Sequence, residues 1–280
     1  SVASGSYTVG AGANEGHLSE NTWGFSGWLQ DRAGNSINIS MPPVTINSTR
    51  SIAIDTTDPY IASISSSTAD GSYKESDAID VTVTFNEPVT LTGGPLDITF
   101  DTGNVVHIPA FGPSLTAIGT YTVGAGETSA HLSETTFGSS GPFVDAAGNT
   151  VLGTWPSTTI STGKNFIIDT TVPSISFVDS STADGSYGLT SPVNVTVYFT
   201  EPVTLTGTMD LTLNSGGSVS VSSGAYPATE LTGTYMVGPG QNAGDLSVTG
   251  ITVTGTLQDA AKNDTTTTIP FLQNLHNNAD

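Results

Sequence analysis

A repeat of 114 residues constrains this chain more than any other feature. Tyr7-Thr8-Val9-Gly10-Ala11-Gly12 recurs as Tyr121-Thr122-Val123-Gly124-Ala125-Gly126, and again as Tyr235-Met236-Val237-Gly238-Pro239-Gly240, each time 114 residues further on. The same spacing links Asp31-Arg-Ala-Gly-Asn35 to Asp145-Ala-Ala-Gly-Asn149 and Asp259-Ala-Ala-Lys-Asn263. It also links Asp55-Thr-Thr-Asp-Pro59 to Asp169-Thr-Thr-Val-Pro173, and Ser67-Thr-Ala-Asp-Gly-Ser-Tyr73 to Ser181-Thr-Ala-Asp-Gly-Ser-Tyr187. Self-similarity at a fixed period means that one structural unit is built several times over. A unit of this size can bury a core of its own. The two Asp-Thr-Thr-X-Pro segments are the natural boundaries, because proline fixes φ and restrains the residue before it, giving stiff hinges. The expected division is 1–57 as the C-terminal part of a repeat, 58–171 as a complete repeat, and 172–280 as a repeat lacking its last strand. The chain then reads as a window on a longer array. A chain that polymerises by strand donation is the alternative.

Within the unit, apolar residues alternate with polar ones. Ile79, Val81, Val83 and Phe85 are interleaved with Asp80, Thr82 and Thr84, and Val193, Val195, Val197 and Phe199 copy the pattern. This period of two predicts strands with one buried and one wet face. Leu96, Ile98 and Phe100 alternate likewise, matched by Met209, Leu211 and Leu213, and Tyr121 with Val123, Leu132 to Phe143, and Asn165 to Ile168 supply later strands. Short strands separated by Gly, Pro, Asn and Asp turns, with no helical period, predict an all-β chain of tandem immunoglobulin-like Greek-key β-sandwiches arranged as an extended rod.

Charge and cysteine content narrow the partners. With 5 Lys+Arg against 25 Asp+Glu the net charge is −20, and the few basic residues are scattered, which argues against nucleic acid and for cations. Cysteine is absent, so no disulfide can staple the fold. No run approaches the ~20 apolar residues of a membrane helix, and no signal-peptide pattern is present, so no direct membrane insertion is expected.

The ordered motifs Asp-Ala-Ala-Gly-Asn149, Asp169-Thr-Thr-Val-Pro173, Ser181-Thr-Ala-Asp-Gly-Ser-Tyr187 and Glu87-Pro-Val-Thr-Leu-Thr-Gly93 resemble the bacterial Ig-like repeats of very large surface proteins and adhesins. The resemblance runs over the whole chain. It implies a rod of sandwiches on the outside of a cell, anchored by other parts, commonly with calcium at the domain junctions.

A case for calcium also comes from the residues themselves. In an immunoglobulin-type strand order, the Asp-x-x-Gly-Asn turn lies between the last two strands and the Asn86-Glu87-Pro88 turn follows the second. Both then sit at the pole where the preceding linker enters. At the first junction this gathers Asp55, with Asp58, from the linker, Glu87, and Asp145 with Asn149; at the second, Asp169, Glu201, and Asp259 with Asn263. Calcium takes six to eight hard oxygen ligands in irregular geometry, which suits converging loops. The competing reading is that the acids form Asx-turns and cap strand exits. Lys262 stands where the other copies have glycine. Asp31 and Asn35 form the same turn, but without a linker and glutamate their site would be incomplete. Asp70 and Asp184 read as turn formers.

No catalytic motif emerges, and a non-enzymatic protein is expected. His17 and His131 share one repeat position that Asp245 occupies in the third copy. Trp23 aligns with Phe137 and Ile251 and reads as core, while Trp28 and Trp155 are weak candidates for sugar stacking. Asn38-Ile-Ser40, Asn47-Ser-Thr49 and Asn194-Val-Thr196 match the N-glycosylation triplet by composition. The leading expectation is therefore an extracellular structural stalk or adhesin repeat region rigidified by structural Ca2+, whose partners are the neighbouring repeats of its own chain. The alternatives are a self-assembling subunit of an extracellular filament, sheath or surface layer, with copies of itself as partners, and an accessory carbohydrate-binding module of a secreted enzyme.

Overall fold

A computed structural model of the chain describes residues 2–22, 24, 26–37, 44–222, 227–270 and 273–275. Trp23, the Asn38 triplet and His276 lie outside the described residues.

The described residues of the first 57 form one short helix, α1 (Ile46–Thr49), and two isolated bridges, Glu15 with Ile54 and Gln30 with Ser36, but no strand. Several of the large side chains described there are open to solvent, Tyr7 at 63% and Trp28 at 88% exposure.

That next repeat is all-β. Its strands are β1 (Ile61–Ser65), β2 (Gly71–Tyr73), β3 (Ala78–Leu91), β4 (Leu96–Phe100), β5 (Val105–Ile108), β6 (Phe111–Thr122), β7 (Thr128–Ser129), β8 (Glu134–Ser139), β9 (Phe143–Val144) and β10 (Phe166–Asp169), with one helical turn, α2 (Ile160–Gly163), before the last. One sheet runs β1-β3-β6 with β9 added beside β3, a second runs β5-β4-β8, and a small third places β10 between β2 and β7. The alternation read from the sequence is realised in β3, where Ile79, Val81, Val83 and Phe85 are buried and the residues between them face outward. Leu96, Ile98 and Phe100 from the second sheet meet them in one core, with Tyr121, Phe166 and Ile168. Each such side chain contributes about 1.5–3 kcal/mol on burial. Gly119 is where β6 passes under β5: a Cβ there would stand 2.6 Å from Val106 and 2.8 Å from Ile108.

The following repeat copies this plan with β11 (Ile175–Asp179), β12 (Pro192–Leu213), β13 (Ser218–Ser222), β14 (Ala228–Met236) and β15 (Val248–Gln258). A separate core forms around Val195, Val197, Met209, Leu211 and Val219. Here β12 serves two sheets. Its first half pairs with β11 and most of β14, its second half with β13 and β15.

The sequence reading placed a turn at Asn86-Glu87-Pro88 and its counterpart. Instead the backbone stays extended through both, inside β3 and β12, and the pairing register breaks between Thr84 and Val89 and between Tyr198 and Val203. Proline's φ is compatible with extended backbone, and its missing N–H falls where the ladder is already interrupted. The break lets one strand change neighbours while Glu87 and Glu201 project at the bend.

Candidate metal centres

Each acidic cluster is assembled from three separate parts of the chain. At the first, Asp55 comes from the segment before Pro59, Glu87 from the bend in β3, and Asp145 from the turn after β9. One carboxylate oxygen from each lies within 4.8 Å of one from each of the others. Asp169, Glu201 and Asp259 form the second cluster to the same tolerance. Among the described residues these are the two places where three such side chains converge.

The Asp-x-x-Gly-Asn turn builds the floor of each site. Asp145 Oδ1 accepts the backbone N–H groups of Ala147, Gly148 and Asn149 at 2.7–2.8 Å, and Oδ2 accepts the Asn149 side-chain amide at 2.7 Å. That amide also donates to the Asp55 carbonyl at 3.2 Å, tying the turn to the linker. In the second copy, Asn263 Nδ2 donates to Asp259 Oδ2 at 2.8 Å and to the Asp169 carbonyl at 3.0 Å. Both asparagines therefore position the carboxylate and the linker through their amide nitrogens. Asn86 Oδ1 accepts the Tyr60 N–H at 2.6 Å, and Thr200 Oγ1 accepts the Ser174 N–H at 3.0 Å, so the residue before each Glu-Pro clamps the chain just after the linker. Their clamping role is not evident from spacing, although a polar side chain precedes Glu-Pro in both copies.

Electrostatics divides the carboxylates by role. Burial would raise the pKa of Asp145, but hydrogen bonds from Asn149, Gly148 and Ala147 outweigh it and hold the group below its ordinary value. Glu87 is shifted the other way, by partial burial and then by the charges of Asp55 and Asp145. Glu201 is likewise raised, by burial first and then by Asp169 and Asp259. Two carboxylates about 4 Å apart repel by roughly 1 kcal/mol in water and roughly 4 kcal/mol at an effective dielectric near 20. Among the described residues no Lys, Arg or His forms an ion pair with any of the six acids; the one such pair is His107 with Asp97. Glu201 Oε1 is buried and has no hydrogen-bond partner among the described residues. A buried polar atom without a partner is rare and calls for water or an ion. The all-oxygen, net negative donor set suits a hard divalent cation better than a softer metal.

Other sequence candidates stand apart. Asp58 is exposed and outside the first cluster. Asp31 and Asn35 make the same internal hydrogen bonds as the other turns, at 2.8–2.9 Å, but lie exposed, and Asp31 belongs to no cluster of three such side chains among the described residues. Trp155 stands edge-on to Phe137 at 4.9 Å. No helix of the described residues is long and apolar enough to cross a membrane. No family model and no curated protein matches this chain.

Proposed function

We propose that the chain is a structural, non-catalytic part of an extracellular stalk or adhesin, built as an extended rod of tandem Ig-like β-sandwiches whose junctions are rigidified by calcium. The observation that carries this reading is the twofold recurrence, at one repeat phase, of three carboxylates drawn from linker, strand bend and turn to within 4.8 Å of one another. Such a trio repels itself when empty and holds three chain segments together when a divalent ion is bound. Asp55, Glu87 and Asp145 would supply the first ion's carboxylates, and Asp169, Glu201 and Asp259 the second's, with Asn149 and Asn263 orienting them. The absence of cysteine agrees with a metal acting as the staple. The test is small-angle scattering and calorimetry in calcium and in chelator. A higher melting temperature and a narrower distribution of interdomain distances in calcium are expected; identical curves in both would remove the calcium from the proposal.

A further inference from the structure

The junction between the second and third repeats is crossed by a side chain outside the acidic cluster. Lys74 stands in the loop between β2 and β3, and its Nζ donates to the Lys262 carbonyl of the third repeat at 2.8 Å. Other polar ties at this junction run to the linker: Thr170 Oγ1 donates to the Glu127 carbonyl, and Asn263 Nδ2 to the Asp169 carbonyl. Lys74 instead joins the body of one repeat to the body of the next. Both ends of the contact are held in place. The Lys74 N–H donates to Asp77 Oδ2 at 3.0 Å, its carbonyl accepts the Asp77 N–H, and the Ser76 N–H donates to the Val123 carbonyl. On the far side, the Lys262 N–H donates to the Asp259 carbonyl and the Asn263 N–H to Asp259 Oδ1. A bond between two fixed loops constrains the orientation of what carries them, because little further chain entropy is lost in making it. Neither end is a general feature of the repeat. Gly188 stands at the Lys74 position in the third repeat, and Gly34 and Gly148 stand at the Lys262 position in the earlier turns. Lys262 nonetheless keeps a φ of 70°, in the region that favours glycine. Of the five basic residues in the chain, two therefore meet at one junction.

We propose that Lys74 is a latch that orients the second repeat on the third while the acidic cluster holds no ion. Its ammonium is a charged donor, which makes a stronger hydrogen bond than a neutral one, and Lys74 is half-buried, which limits the competition from water. The turn it grips contains Asp259, the floor of the second cluster, so the negative field of Asp169, Glu201 and Asp259 draws the ammonium toward the third repeat. When an ion enters that cluster it ties linker, strand bend and turn together directly, and its charge offsets the field that attracts Lys74. Latch and ion are thus alternative fasteners of one junction, which stays ordered at low and at high calcium through different contacts. The part played by the ion rests on the calcium reading; the latch itself does not.

Because the chain lacks cysteine, a dye pair can be attached after Thr120→Cys in β6 and Ser220→Cys in β13, two exposed positions on different repeats. Single-molecule energy transfer then reads the distance between the repeats. In chelator the parent is expected to give one narrow distribution. Lys74→Met keeps the aliphatic stem and removes the donor, so the population outside the parent's peak should rise roughly threefold or more. Lys74→Gly, which installs the residue found at the same place in the third repeat, should do the same. Lys74 belongs to neither core, so both repeats should keep their melting transitions. Calcium added to the Lys74→Met chain should narrow its distribution again. A parent already broad in chelator, or a distribution that neither substitution changes, would overturn the latch. Broadening that appears only with a lowered melting transition of the second repeat would overturn it too, as an effect of folding. A Lys74→Met chain that is broad in chelator and stays broad in calcium would support the latch and refute the ion as its alternative.

Discussion

Glu201→Gln is expected to change the sign of its effect with the metal. The substitution keeps the side-chain shape and removes one charge from the cluster of Asp169, Glu201 and Asp259, in which one oxygen of each lies within 4.8 Å of one from each of the others. In chelator it abolishes two pairwise repulsions, each between about 1 and 4 kcal/mol depending on the local dielectric. Asp259 is buried but the other two are only half-buried, so solvent screening favours the low end, a net gain of about 1–2 kcal/mol. The orphaned Oε1 no longer belongs to a charged group, which acts in the same direction. For a repeat of this size each kcal/mol moves the melting temperature by about 4–8 °C, so the variant should melt roughly 5–10 °C above the parent. In calcium the order should invert. An ion present at 100 times its dissociation constant stabilises the parent by about 2.7 kcal/mol, and loss of a carboxylate ligand removes most of that. Scanning calorimetry of parent and variant, each with calcium and with chelator, reads all four values. A shift of the same sign in both conditions would show that repulsion and ligation do not reside in the same group.

The acid response should also depend on the metal. Glu87 and Glu201, raised by burial and by their aspartate neighbours, bind more protons folded than unfolded above the ordinary glutamate value of 4.5. In chelator, stability should therefore rise as pH falls from 7 through that window, and decline only below the ordinary aspartate value of 3.8, where Asp80 and Asp145, both lowered, lose their hydrogen-bonded charge. In calcium the acid-side rise should vanish, since protons compete with the ion; urea midpoints between pH 4 and 7 show which holds. Asp80→Ala should cost the second repeat about 3 kcal/mol, because its carboxylate accepts the N–H groups of Ser67 and Thr68 at 2.8 and 2.7 Å and two hydroxyls. A loss under 1 kcal/mol in urea titration would show that loop to be self-supporting. Lys262 sits at φ 70°, where Gly34 and Gly148 adopt 89° and 94°, so Lys262→Gly should stabilise the third repeat by about 1 kcal/mol in the same assay.

The alternation at Ile79 to Phe85 and at Leu96 to Phe100 was legible because a half-buried strand writes its two faces directly into the sequence. β1 and β5, at five and four residues, were too short for a period of two to announce them. The Glu-Pro segments misled because proline is as compatible with a strand whose ladder is broken as with a turn. Residues 1–57 carry the same motifs as the later repeats yet form no strand among the described residues, since pairing needs partners that the motifs do not contain. At the site, the recurrence of the motifs together with an immunoglobulin-type strand order was enough to group Asp55, Glu87 and Asp145. It could not tell that Asp58, three residues further along the linker, stays exposed and outside the cluster. Nor could it tell that Asn149 turns its amide nitrogen, rather than its oxygen, to the aspartate. Side-chain direction and donor orientation are set by the fold around the motif.

Titration calorimetry of the metal-stripped chain decides whether the two acidic clusters bind calcium. Two calcium ions per chain are predicted, falling to one when Asp259→Ala removes the floor of the second cluster while the Asp55, Glu87 and Asp145 cluster is left intact. No binding heat at millimolar calcium, or an unchanged stoichiometry in the variant, would contradict it.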